Sequence, residues 1–210
     1  VATPLGENCR YWWQVRAFDG YEYSPWSVNS MFAVNGTPEP PTAPDLASPP
    51  EPSGKPVFDL MPTFAWSASG DPDPNDTVKY RLEISTTQNF SFVNTIDSLM
   101  TISHELADSL FFGTRYWWKV SAFDKTGLRT YSLTTKDFWT WKLGDVNHTH
   151  TTNVADVTAM VRWLFSGGTA PDPKKVADIN GNCIVNIADV TYLVRFLFGG
   201  GDDPKIGCAP

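Results

Sequence analysis

Near the C-terminus, oxygen-bearing side chains recur at a spacing that suits a metal ion. The first set is Asp145, Asn147, Thr149, Thr151 and Asp156, and a second copy follows with the same layout: Asp178, Asn180, Asn182, Ile184 and Asp189. Oxygen donors at loop positions 1, 3, 5 and 12, with a backbone carbonyl at position 7, can surround a hard cation with six to eight oxygens. The spacing therefore predicts two calcium sites.

The two loops are not equally suited to calcium. In the first loop Thr149 stands at position 5, where a carboxylate is usual. Position 6, which usually needs glycine because its φ is positive, is His150 in the first loop and Cys183 in the second. Since each loop carries only two formal charges, we expect weak binding, on the order of 10⁻⁴–10⁻³ M, with the first site the weaker. The alternative is that one or both loops fold without metal.

Each loop leads into a segment with helical periodicity. Apolar residues at i, i+3, i+4 and i+7 predict one apolar stripe per helix, and a single stripe cannot be buried alone. Two such helices packed face to face bury both stripes. The stripes are Val157, Met160, Val161 and Leu164 in the first helix, and Val190, Leu193, Val194 and Leu197 in the second.

The duplicated loop–helix unit, with Asp rather than Glu at position 12, resembles the dockerin module of cellulosomal proteins over residues 143–200. The resemblance implies calcium-dependent attachment to a cohesin-like partner, in two orientations related by near two-fold symmetry. It places the contacts at repeated residues outside the stripes: Val154, Ala155, Arg162 and Trp163, and Ile187, Ala188, Arg195 and Phe196. For Trp163 and Phe196, packing against the linker between the helices is the alternative.

The three cysteines suggest a disulfide near the second loop. Cys183 lies in that loop and Cys208 near the C-terminus, so a bond between them would hold the tail against the loop in an oxidising compartment. Cys9 would then be left over. The alternative is that all three remain reduced.

Composition narrows the classes of partner and location. The net charge of −7 and the absence of a Lys/Arg cluster argue against a nucleic-acid partner. No apolar run approaches the length of a membrane span, and no leader peptide is visible. With 17 prolines, 15 glycines and nine tryptophans, the chain is predicted to contain β-rich modules joined by extended linkers.

A second repeat lies in the first two thirds of the chain. The stretch at 11–19, YWWQVRAFD, recurs at 116–124 as YWWKVSAFD. Strict alternation predicts a half-buried strand with Tyr116, Trp118 and Val120 on one face. The approach to Tyr116 resembles a tyrosine corner, in which the hydroxyl bonds to the backbone upstream. The pattern is similar to tandem fibronectin type III domains.

These patterns predict a multidomain chain, an all-β immunoglobulin-like sandwich followed by a small all-α module. Residues 1–36 are expected to hold the last two strands of a truncated domain, 37–142 a complete sandwich beginning with a proline-rich linker, and 143–210 the dockerin-like module with its tail. Strands are predicted at 63–67, 78–85, 92–96, 103–106, 116–123 and 138–141. The two strands of 1–36 cannot form a sandwich alone.

Three other features have ordinary structural explanations. The acidic loop 71–76 could hold a cation, but proline-punctuated Asp and Asn are typical of turns. Trp12 and Trp117 fall on the outward strand face, where they could stack on sugars, although cross-strand packing is favoured. His148 and His150 occupy variable loop positions and are expected to face solvent.

No catalytic motif is present. The chain is therefore interpreted as a non-catalytic C-terminal region of a larger secreted bacterial protein. The sandwich would be a spacer, the helical module would attach to a cohesin-like domain, and the missing N-terminal part could be a polysaccharide-degrading hydrolase, with polysaccharide reached through that attached domain. The alternative is a carbohydrate- or protein-binding sandwich of a cell-surface adhesin, with the C-terminal repeat as a stabilising cap.

Overall fold

The computed structural model describes residues 3–49 and 56–210. A hairpin comes first, followed by eight strands and then by the helical module. The hairpin strands are β1 (Cys9–Trp13) and β2 (Ser30–Val34); the others are β3 (Leu46–Ser48), β4 (Thr63–Trp66), β5 (Lys79–Ser85), β6 (Val93–Leu99), β7 (Ser103–Glu105), β8 (Arg115–Phe123), β9 (Arg129–Tyr131) and β10 (Lys136–Trp139). The helices are α1 (Val154–Ser166), a short 3-10 helix (Lys174–Ala177) and α2 (Ile187–Gly199). The predicted fold class is confirmed.

Strands β3 to β10 form two antiparallel sheets. One sheet has the order β3-β4-β7, and the other has the order β10-β8-β5-β6, with β9 paired to the end of β8. The chain changes sheet three times, between β4 and β5, between β6 and β7, and between β7 and β8, as in fibronectin type III-like and other immunoglobulin-like sandwiches. Sheets stacked in this way bury the side chains of their facing surfaces.

The core of the sandwich follows the predicted alternation along β8. Tyr116, Trp118, Val120 and Ala122 are buried, whereas the intervening residues are only partly buried apart from Ser121. The Trp118 indole has no exposed surface, and it meets the Phe64 ring of the opposite sheet edge-on with 5.1 Å between centroids. Paired aromatic rings in this geometry add stability beyond the area that they bury.

The tyrosine corner occurs twice. The backbone N–H of Phe111 donates to the Tyr116 hydroxyl at 3.0 Å, as predicted. In the hairpin, the N–H of Gly6 donates to the Tyr11 hydroxyl at 2.6 Å. Each bond joins residues five positions apart, so the local sequence alone produces this feature in both copies.

The hairpin β1–β2 pairs in the register that aligns Cys9 with Val34, but within the described residues no second sheet covers it. Trp13 is consequently 48% exposed, although its counterpart Trp118 is fully buried. A single layer cannot bury an apolar face, whatever its alternation. The hairpin contacts the sandwich where the Arg10 guanidinium donates to the Asn75 side chain at 2.8 Å.

Three sequence interpretations need correction. Strand β3 lies in the segment interpreted as a linker, and β9 was not predicted, because three-residue strands carry too little periodicity to be recognised. Val161 and Val194, assigned to the buried stripes, are each 37% exposed.

Among the described residues, the structure contains no helix long and apolar enough to span a membrane.

Candidate functional site

The first loop folds so that its oxygen-bearing side chains meet. The Asp145 carboxylate is buried and accepts the N–H groups of Thr149 at 2.9 Å and of His150 at 2.7 Å. The Thr149 hydroxyl donates to Asn147 Oδ1 at 2.8 Å and lies 3.5 Å from the Thr151 carbonyl oxygen. Oxygens from positions 1, 3, 5 and 7 are therefore neighbours in space.

The last predicted ligand of this loop is also a helix cap. Asp156 is the third residue of α1, and its Oδ2 accepts the N–H of Asn153, whose side chain caps the helix in return. Its Oδ1 accepts the N–H groups of Val146 at 2.8 Å and Asn147 at 3.1 Å. Burial raises the pKa of Asp156, and the neighbouring Asp145 charge acts in the same direction. A cation bound between the two carboxylates would oppose both effects.

The second loop repeats this arrangement. Asp178 Oδ1 accepts the N–H of Asn182 at 3.0 Å, and Oδ2 accepts that of Cys183 at 2.9 Å. Asp189 receives the N–H of Asn180 at 3.1 Å and caps α2 through the N–H of Asn186 at 2.9 Å. The Ile184 residue supplies the position-7 carbonyl, and its N–H donates to the Asn182 side chain at 2.9 Å.

The donors offered by both loops are carboxylate, amide, hydroxyl and carbonyl oxygens only. This set fits a hard cation such as calcium and lacks the nitrogen and sulfur ligands that zinc prefers. Asp178, Cys183 and Cys208 also cluster closely, but both sulfurs are in a disulfide and are not available as ligands. The predicted ligand set remains the best candidate for each loop.

Position 6 has a positive φ in both loops, although neither residue is glycine. The values are 64° for His150 and 65° for Cys183. At position 4 the φ is 59° for His148 and 72° for Gly181. The first loop thus holds two non-glycine residues in the left-handed region, and the second loop holds one.

The two histidines face the sandwich, so the expectation that they face solvent was wrong. The His150 ring stacks on Trp139 of β10 with 4.6 Å between centroids and 16° between planes. The His148 ring meets Phe58 edge-on at 5.4 Å, and its Nε2 lies 3.1 Å from the Asp172 carbonyl oxygen. Sequence reasoning missed these contacts because Phe58 and Trp139 lie in another module.

The second loop is held by the C-terminal tail instead. Cys183 and Cys208 form a disulfide, while Cys9 is free and exposed. Next to the disulfide, the N–H groups of Cys208 and Ala209 donate to Asp178 Oδ2 at 2.8 and 3.2 Å. A methyl group at Gly207 would overlap the Lys175 carbonyl oxygen, so the tail passes directly against the loop.

The predicted partner-contacting residues divide into two groups. Trp163 and Phe196 are partly buried and pack against the core between the two helices. The remaining six, three from each helix, are exposed: Val154, Ala155, Arg162, Ile187, Ala188 and Arg195. Both helices therefore present equivalent exposed positions at their starts and centres.

Further apolar residues, none of which was predicted to contact a partner, extend these surfaces. They lie seven and eleven positions after Val154 and Ile187, on the same helix face. These are Val161 and Phe165 in α1, and Val194 and Phe198 in α2, with Phe165 63% and Phe198 71% exposed. Their recurrence in both repeats was the signal available in the sequence. Together these exposed residues form the outer face of the module, which consists of Val154, Ala155, Val161, Arg162 and Phe165 in α1 and of Ile187, Ala188, Val194, Arg195 and Phe198 in α2.

Known structures resemble the sandwich part of the chain. A human fibronectin type III domain of fibronectin type III domain containing protein 3 is 19% identical, with 54% of this chain and 94% of that chain covered and a TM-score of 0.37. A Fn3-like protein from Clostridium thermocellum is 22% identical, with 50% and 96% covered and a TM-score of 0.33. Chicken CNTN1 domains FN1–FN3 are 21% identical, with 66% and 43% covered and a TM-score of 0.34. No curated protein matches the chain significantly.

The helical module has a family match. Residues 143–198 match the profile of the dockerin type I domain. The match contains both loops, α1, the 3-10 helix and nearly all of α2. It agrees with the duplicated ligand spacing and the two capped helices. The chain thus has a C-terminal region, residues 143–198, that matches the dockerin type I domain, and this region follows an antiparallel β-sandwich of immunoglobulin-like arrangement.

Proposed function

We propose that the dockerin domain attaches its protein to a cohesin-like domain in a calcium-dependent manner, and that the sandwich is a non-catalytic spacer. The observation that carries this proposal is the outer face, which occurs once on α1 and once on α2. Dockerin domains bind cohesins, and the outer face supplies a surface on which such a partner can dock.

The composition of the outer face supports a protein partner. Val154 and Ile187 are 58% and 54% exposed at the starts of the two helices. An exposed arginine and a largely exposed phenylalanine follow on the same helix, eight and eleven positions later. Aromatic and arginine side chains dominate the binding energy of protein interfaces, and charged residues are depleted from interface centres.

The calcium dependence follows from the position of the ligands. Asp156 and Asp189 belong both to the loops and to the first turns of α1 and α2, next to Ala155 and Ala188. A cation held by these carboxylates would therefore order the start of each outer face. A ligand that binds only the folded state stabilises it by mass action.

The partner surface is tested by charge reversal on one or both helices. Ala155→Asp and Ala188→Asp each place a carboxylate in one copy of the outer face. Binding to a panel of purified type I cohesin domains is measured by surface plasmon resonance with calcium. Because either copy can serve, we expect each single variant to bind within about threefold of wild type and the double variant to lose at least about 100-fold in affinity, which is about 2.8 kcal/mol.

Ala170→Asp is the matched control, since Ala170 is exposed but lies between the helices. It should bind as wild type does. The proposal fails if no cohesin binds the calcium-loaded chain, or if the double variant retains wild-type affinity. Repeating the wild-type measurement with chelator tests the calcium dependence separately.

We also propose an extracellular location and a link to extracellular polysaccharide degradation. The Cys183–Cys208 disulfide supports an oxidising compartment, because such bonds are rare in reducing ones. The polysaccharide link rests on the dockerin family alone. Comparison of secreted and cell-retained fractions for the chain tests the location.

A further inference from the structure

Three carboxylates converge at one end of the sandwich, well away from the dockerin loops. Asp71 and Asp76 belong to the loop between β4 and β5, and Asp124 follows the last residue of β8. Because Lys79 of β5 pairs with Phe123 of β8, the antiparallel register brings the start of one strand to the end of the other. One carboxylate oxygen of each aspartate lies within 4.8 Å of the others.

Each aspartate uses its two oxygens differently. The Oδ1 atoms accept backbone N–H groups that shape the turns, from Asp73 to Asp71 at 2.9 Å, from Thr77 to Asp76 at 2.7 Å, and from Leu128 to Asp124 at 2.9 Å. The Oδ2 atoms of all three are buried and have no hydrogen-bond donor among the described residues. The turn chemistry therefore accounts for only one oxygen of each carboxylate.

These three buried Oδ2 atoms are in a costly environment, and only that of Asp76 has a cationic neighbour. Asp124 is 3% exposed, and the Asp76 side chain has no exposed surface. A buried carboxylate oxygen without a donor is strongly disfavoured, and like charges close together add to the penalty. In the described part of the chain, the cation paired with this cluster is Lys125, whose ammonium lies 3.4 Å from Asp76 Oδ2 and whose side chain is 57% exposed. One lysine against three aspartates leaves an excess of two negative charges.

The electrostatics of Asp71 agree with this geometry. Burial raises the pKa of Asp71, and the charges of Asp76, Asp73 and Asp124 act in the same direction. By contrast, Asp73 is not part of the bare set, because its Oδ2 accepts the N–H of Glu39 at 3.2 Å.

We propose that Asp71, Asp76 and Asp124 together bind a calcium ion in the sandwich, independently of the dockerin loops. Their three Oδ2 atoms are the protein ligands, and water completes the coordination shell. Ligation by oxygen alone selects a hard cation, and calcium accepts the irregular geometry of two separate loops more readily than magnesium does. The exposed Lys125 side chain swings into solvent when the ion binds.

The test counts calcium in the full chain by native mass spectrometry, with titration calorimetry for affinity. All variants are made in a background with Asp145→Asn and Asp178→Asn, which weakens the dockerin loops. We expect the background protein to retain one calcium ion and to melt at a higher temperature with calcium than with chelator. Adding Asp71→Asn or Asp124→Asn should remove that ion and the calcium-dependent part of the melting shift.

Asp108→Asn is the control, because it removes one exposed carboxylate outside the cluster. It should leave the calcium count unchanged. Lys125→Met provides a second test in a chain that keeps all three ligands. Without the competing ammonium, calcium affinity should rise roughly tenfold.

Specific results would overturn the proposal. One is a calcium count and melting shift that Asp71→Asn and Asp124→Asn leave unchanged. If those two variants fail to fold, an affinity that Lys125→Met leaves unchanged overturns it instead. Tighter binding of magnesium than of calcium would overturn the assignment of the ion. Because every variant carries the same two substitutions in the dockerin loops, these comparisons report on the sandwich site and not on cohesin attachment.

Discussion

The two repeats of the dockerin domain have nearly the same ligand layout and the same helix caps, but different parts of the chain support them. The first loop packs against the sandwich through His150, whose ring stacks on Trp139. The second is closed by the tail through the disulfide between Cys183 and Cys208. In both, the residue at position 6 has a side chain that anchors the loop. A position that usually needs glycine can thus accept strain when its side chain makes a compensating contact.

The strain is unequal in the two loops. A non-glycine residue in the left-handed region costs about 1–2 kcal/mol. The first loop holds His148 and His150 in that region, whereas the second holds Cys183 and has Gly181 at the other position. The first loop therefore depends on another module for its geometry, and the second is stabilised within the dockerin domain and its tail.

The largest expected effect on the free energy of unfolding comes from replacing the aspartate at position 1 of each loop, and it should differ between the two loops. Asp178 accepts four backbone N–H groups, including two from the tail, while Asp145 accepts two. Removing a buried acceptor leaves its donors unsatisfied, so Asp178→Ala should destabilise the domain by about 4 kcal/mol and Asp145→Ala by about 2 kcal/mol. Denaturant unfolding with calcium measures both.

Asp202→Ala, an exposed change in the tail, should have no measurable effect. Equal losses for Asp145→Ala and Asp178→Ala would show that the tail contributes nothing to the second loop, and the comparison between the loops would fail.

The disulfide should account for the next largest effect. Its cysteines are separated by 25 positions, and closing a loop of that size stabilises the folded state by about 3.5 kcal/mol. Replacing both cysteines by serine should therefore lower the melting temperature of the domain and weaken calcium binding at the second loop only. Cys9→Ser is the control. An equal loss of calcium affinity at both loops would contradict the conclusion that the disulfide supports only the second loop.

Adding a carboxylate to the first loop should bring its calcium affinity closer to that of the second loop. Thr149→Asp supplies the missing charge at position 5, and affinity follows the number of charged ligands. We expect roughly tenfold tighter binding at the first site, about 1.4 kcal/mol. Titration calorimetry on a background with the second loop disabled isolates this site. Thr151→Asp is the comparison, since position 7 contributes a backbone carbonyl and the change should have little effect.

The smallest expected change in stability comes from the backbone strain at position 6 of the first loop. His150→Gly and His150→Ala both remove the ring that stacks on Trp139. Only glycine also removes the strain of a positive φ, so His150→Gly should be more stable than His150→Ala by about 1 kcal/mol. Thermal unfolding of the two variants measures the difference. Equal stability would mean that the loop relaxes when the ring is absent.

Much of this architecture could be predicted because its signals are local. The alternation along β8 placed Trp118 in the core, and the residues around Tyr116 were enough to predict its hydrogen bond. The loop ligands, such as Asp145 and Asp178, follow from a spacing that repeats. Each of these features depends on residues within one strand, one turn or one loop.

Other features depend on partners far away in the sequence. The sequence around the acidic loop indicated a turn, and nothing local connected Asp71 and Asp76 with Asp124. The pairing of β5 with β8 brings the three together. Val161 was likewise assigned to a buried stripe, because helical periodicity does not determine how wide a face the neighbouring helix covers.

The sequence by itself determined which residues can ligate a cation, where the helices are capped, and which strand residues share a face. The tertiary structure decided which of these equivalent groups are buried, paired or free. Trp13 and Trp118 occupy the same place in the same motif, but only Trp118 lies beneath a second sheet. Hydrogen bonds of turns and caps form within a few residues, whereas burial requires a second layer that only the folded chain supplies.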